Sequence, residues 1–134
     1  MVDVDEKYLS KKCGGDKQLN EESMLILSDQ RVLSIHADAL ASMINLAELY
    51  LSKNFLTSLD SSTFFGLSNL NVLDLSSNKL KTLNADLFAS QQKLEKLVLS
   101  SNQLKSLMPN LFTPLVSLTE LYLSSNNLTT VGAT

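Results

Sequence analysis

Few side chains capable of chemistry are spaced to perform it. The chain holds one histidine, His36, and one cysteine, Cys13. A metal pair needs a second ligand that neither can find in its own type, and a lone cysteine gives no CxxC motif, internal disulfide or Cys-based zinc site. A Cys13–His36 nucleophile–base pair would need two loop residues near the N-terminus to meet by accident. Gly14-Gly15 stands alone and reads as a turn, not a phosphate loop. The carboxylates are dispersed. Serine recurs at 28, 52, 76, 100 and 124, and such regularity marks a repeated structural role, not one reactive group; serine at a strand end can bond the following turn. No catalytic residue, metal site or cofactor is expected, and the chain is expected not to be an enzyme.

The polar side chains with a spacing of their own are amides. Asn54, Asn78, Asn102 and Asn126 recur at one constant interval. An asparagine carries two donors and an acceptor, so it can bridge the backbone of adjacent turns. Leaving one buried backbone group unpaired costs about 1–3 kcal/mol. Gln30 holds this place at the start of the series and predicts a looser turn. Asn54 and Asn126, nearer the ends, are expected to matter less than the two between them.

These amides require a repeating scaffold. Four segments align without gaps from Leu46, Leu70, Leu94 and Leu118 on the pattern LxxLxLxxNxLxxLxxxxFxxLxx, and a weaker copy starts near Met24. In each, two leucines alternate as in a strand and point to one face: Leu25/Leu27, Leu49/Leu51, Leu73/Leu75, Leu97/Leu99 and Leu121/Leu123. Stacked repeats make a parallel sheet with strands about 4.8 Å apart. Leu56, Leu59, Phe64, Leu67 and Leu70, with their equivalents, fill each turn; Val32, Ile35, Leu40, Met43 and Leu46 do so in the first copy. Gln91 interrupts this set and is expected at the convex rim. A single turn leaves both flanks open, so neighbours supply the stability and the ends need caps.

Composition narrows the function further. About a fifth of the residues are leucine, there is no tryptophan, and the net charge is −3 with a pI near 5.0. That balance lacks the basic footprint of a nucleic-acid binder, and no nucleic-acid partner is expected. Lysines 79, 81, 93, 96 and 105 gather mid-chain but read as a solvated face. No apolar run approaches the length of a membrane span, so no membrane insertion is expected of this chain. MVDVDEKY has no apolar core of a signal peptide.

The repeat units resemble the typical class of leucine-rich repeats, the class of extracellular animal proteins such as Toll-like receptors, variable lymphocyte receptors, Slit and the small proteoglycans. The resemblance covers about residues 24–131. It implies an α/β leucine-rich-repeat solenoid, a short curved horseshoe with a parallel concave sheet and irregular or 3-10 convex segments. Residues 1–23 would form an N-terminal cap or flanking segment, and 24–134 about five repeats, the last incomplete. The family's usual cap of four clustered cysteines is absent, since Cys13 stands alone in the segment before Met24. The resemblance also implies a recognition module at the cell surface or outside the cell, a receptor ectodomain acting in immune recognition or adhesion through a protein or glycan ligand. The competing expectation is a scaffold, including an intracellular one, that uses the solenoid for assembly.

In such a fold the residues between strand leucines face outward on the concave side. These include Tyr50, Asp74, Val98 and Tyr122 in one column, Glu48 and Lys96 in the column before it, and Phe55 past the turn. Tyrosine is enriched at binding hot spots, while strand propensity alone also favours Tyr and Val there. Asn127-Leu128-Thr129 is a glycosylation sequon, and a glycan on Asn127 would crowd the concave edge. Leu118, Leu121, Leu123, Leu128 and Val131 are expected to form an exposed apolar flank, and with it a homodimer through the C-terminal repeat.

Overall fold

A computed structural model of the chain describes residues 1–15 and 21–129. In chain order the described elements are strand β1 (Val2–Val4), helix α1 (Glu6–Cys13), and strands β2 (Met24–Ile26), β3 (Val32–Ile35), β4 (Glu48–Tyr50), β5 (Val72–Asp74), β6 (Lys96–Val98) and β7 (Glu120–Tyr122). Five of the strands form one parallel sheet in the order β2-β4-β5-β6-β7. Each step in register is one full repeat: Leu49 pairs Leu73, Leu73 pairs Leu97 and Leu97 pairs Leu121. The molecule is a parallel-sheet solenoid, the class the repeat predicts, and it makes about four turns.

The alternation within each repeat decides which face is buried. Leu49, Leu51, Leu73, Leu75, Leu97 and Leu99 are fully buried, while the residues between them are half-exposed. Behind the sheet, Phe64, Phe88 and Phe112 stack with ring centroids 6.4 and 6.3 Å apart. The convex segments are turns, held by short bonds such as Leu67 N to Phe64 O (3.1 Å).

Gln91 departs from its expected place at the convex rim. It is completely buried, and its Nε2 donates to the Phe64 carbonyl at 2.7 Å, one repeat back. Its position is that of Met43, Leu67 and Leu115, and an amide fits there because it finds backbone acceptors inside the coil. Its Oε1 finds no partner among the described residues.

Near the N-terminus, β1 pairs in parallel with β3, making a second, two-stranded sheet. Asp5 caps α1 by accepting from Tyr8 N at 2.7 Å, and Gly14 ends it in the left-handed conformation with φ 95°, the usual role of glycine past a helix end. Val4 and Leu9 are fully buried in the same core as the repeats. Cys13 is half-buried and free, and burial pushes its thiol pKa up.

Candidate functional site

The asparagines build the rim on which the uncovered sheet face ends. Asn78 accepts from Leu56 N at 3.1 Å and donates to Leu51 O and Leu75 O at 3.0 and 3.1 Å. Asn102 repeats this with Leu80 N, Leu75 O and Leu99 O. Asn54 does more than expected of an end position: it accepts from both Gln30 N and Val32 N. Asn126 makes the same bonds while half-exposed. Gln30 does not join the ladder; its side chain is exposed, donating to Ser28 O and accepting from Lys12.

The residue before each ladder position is left-handed: Asp29, Lys53, Ser77, Ser101 and Ser125 have φ between 55° and 59°. Such a conformation costs a side-chain-bearing residue about 1–2 kcal/mol. The turn tolerates it because its amides are paired: Lys53 N bonds Ser76 O and Ser77 N bonds Ser100 O, at 3.1 and 3.0 Å.

On the sheet face, strand pairing sets Glu48 beside Val72, Val72 beside Lys96, Tyr50 beside Asp74 and Asp74 beside Val98. Tyr50 Oη donates to Glu48 at 2.6 Å, and Tyr122 Oη to Glu120 at 2.8 Å. These bonds to carboxylates hold both phenol pKa values above the ordinary range, and for Tyr50 burial and Asp74 push the same way. Lys96 Nζ sits 5.7 Å from the Tyr122 ring centre. Asp74 accepts from the Ser76 hydroxyl and amide, and Ser52 donates to Ser28 one repeat away. These serines thus bond one another and Asp74. Phe55 lies apart from the strand columns, past the turn, with Lys79 Nζ 5.3 Å from its ring centre. Met24 and Ile26 extend the open face apolarly, at 43% and 57% exposure.

No cluster of three or more metal-ligating side chains occurs among the described residues. His36 is exposed, and its amide donates to Val4 O, joining the short sheet.

Residues 23–80, 44–103 and 68–128 match the Leucine rich repeat family. The chain belongs to the leucine-rich-repeat family. No curated protein matches this leucine-rich-repeat chain in sequence. Among solved structures it resembles the leucine-rich repeat domain of APL1B, with 30% identity over 81% of this chain and 32% of that one and a TM-score of 0.79. It also resembles TLR13 in complex with ssRNA13, with 26% identity over 96% and 21%, TM-score 0.77. The Toll–Spätzle complex of Drosophila shows 33% identity over 78% and 14%, TM-score 0.76. This leucine-rich-repeat chain therefore spans a third or less of each of these structures. No described helix is long and apolar enough to cross a membrane.

Proposed function

We propose that the chain is an extracellular recognition module whose concave face takes a protein or glycan ligand in immune recognition or adhesion, with residues 1–23 capping repeats 24–134. One observation carries the reading: a five-stranded parallel sheet has leucines packed beneath one face, and none of the described residues covers the other. Parallel sheets are ordinarily covered on both faces. The uncovered face presents Tyr50, Asp74, Val98 and Tyr122, with Glu48 and Lys96 beside them and Phe55 at the rim. The structures it resembles include one bound to Spätzle and one bound to single-stranded RNA, which supports macromolecular recognition as the class. Asn127 is exposed, so glycosylation there is sterically open.

The test is a binding screen against a panel of extracellular proteins and glycans, followed by Tyr50→Ala and Tyr122→Ala. Buried aromatic anchors cost at least about 2 kcal/mol when truncated, so either change should weaken the selected ligand about thirtyfold without loss of fold. If Phe65→Ala or Val116→Ala, which lie off the strands at 73% and 78% exposure, weakens it more, the concave assignment fails.

The proposal includes self-association through the last repeat. Leu121 is 38% exposed and Leu118, Leu123 and Leu128 are half-buried; Val131 lies outside the described residues. Light scattering at rising concentration should show a dimer that Leu128→Glu disperses. A strictly monomeric mass in both proteins overturns it.

A further inference from the structure

The edge where the chain leaves the sheet gathers exposed lysines on an acidic protein. Lys53, Lys79, Lys81 and Lys105 stand there, all exposed, across the repeats that begin at Leu46, Leu70 and Leu94. Backbone bonds between repeats hold this edge in register: Phe55 N to Val32 O, Lys79 N to Leu56 O and Gln103 N to Leu80 O, at 2.8–2.9 Å. None of the four lysines makes an ion pair among the described residues, and Lys79 rests over the Phe55 ring. Asp29, and Asp3 bonded to Ser34, stand where the edge begins near Arg31, and Asp74 stands at its strand side with its carboxylate held by the Ser76 hydroxyl and amide. The net charge of the whole chain is −3, so these unpaired cations are segregated and not part of a general excess.

We propose that this edge binds a sulfated polysaccharide. With strands about 4.8 Å apart, two repeat steps span roughly 10 Å, the length of a few sugars. The Ser77 and Ser101 hydroxyls follow Lys53 at the same position of the next two repeats, have no hydrogen-bond partner among the described residues, and supply neutral donors for sugar oxygens. Single-stranded nucleic acid fits less well. Its binders stack bases on aromatic faces, whereas the one aromatic ring here, Phe55, is half-buried and already faced by the Lys79 ammonium. The surface shares Phe55 with the concave rim but none of the strand-column residues, so its failure leaves the reading of the strand columns standing.

Heparin hexasaccharide is the probe, with desulfated heparin and a poly-uridylate of matched charge beside it. Heparin should bind, and more weakly as salt rises, because counterions are released from a polyanion on binding. Lys79→Gln/Lys81→Gln/Lys105→Gln should weaken it by about tenfold or more, each exposed charge pair contributing modestly. The control Lys7→Gln/Lys11→Gln, on α1, should change it less than about twofold. Heparin that does not bind, that binds no better than its desulfated form, or that loses equally in both variants overturns the proposal. Poly-uridylate binding as tightly as heparin also overturns it, in favour of nucleic acid.

Discussion

Single side chains in this protein are judged by whether they complete a hydrogen-bond pattern that repeats. Asn54, Asn78 and Asn102 each join backbone groups of two turns and are nearly fully buried. Replacing any of them with alanine should cost about 1–3 kcal/mol in urea unfolding. Asn126→Ala should cost less, because Asn126 is itself half-exposed and water can take over part of its bonding. Equal, negligible losses at all four would defeat the ladder. Gln91 works the other way. Its Oε1 is buried and unpaired, while the Phe64 carbonyl it bonds already accepts from Leu67 N. Gln91→Leu removes the unpaired acceptor and strands no backbone group, so it should raise stability by about 1 kcal/mol; a lowered melting temperature would refute this. The two strand tyrosines should ionise above the pH of free tyrosine, since a neighbouring carboxylate opposes phenolate formation. Because the folded state holds these protons more tightly, this contribution is present below the ordinary tyrosine range and is lost as pH rises through the raised values. Absorbance titration should show Glu48→Ala and Glu120→Ala bringing the phenols back down.

Elements here are short and draw stability from neighbours. A three-residue strand has one inward side chain, so Leu73→Ala should cost about 2–5 kcal/mol, whereas Tyr50→Ala or Val98→Ala should barely move the unfolding midpoint. The opposite ranking would mean the faces are reversed, since a one-residue slip turns every strand side chain over. Helix α1 meets the core through Leu9, which is fully buried, with Tyr8 and Cys13 partly buried against it. Leu9→Ala should also cost about 2–5 kcal/mol, measured by thermal unfolding. A loss within experimental error would show that the helix only rests on the first turn.

The whole molecule is a one-dimensional stack, in which stability sums over turns and the interfaces between them. Burial of the inward strand leucine falls from complete at Leu73 and Leu97 to 38% exposure at Leu121. Local opening should follow that gradient. Hydrogen exchange should release the amides of 120–122 well before those of 72–74, whose strand has partners on both sides. Simultaneous exchange of both would show that the stack opens as one unit.

The repeat, its strand register and its buried column were legible in the sequence because a constant period with two-residue alternation admits one stacking, and each leucine's face follows from parity alone. The open face followed from the same parity: Tyr50, Asp74, Val98 and Tyr122 lie where the spacing put them, and Phe55 lies past the turn. What recognises a partner there has no such rule, because the columns differ from repeat to repeat. Tertiary structure decided the features that depend on contacts between repeats. Gln91 reads as a surface residue in the sequence, and only a backbone acceptor one repeat away gives it an interior partner. Lys53, Ser77 and Ser101 carry no glycine or asparagine to announce a left-handed turn; the hydrogen bonds of the neighbouring coil hold them in it. The pairing of β1 with β3 joins segments that lie on either side of α1 and β2 and share no period. The lysine edge, scattered along the chain, becomes one surface only when the coils are stacked.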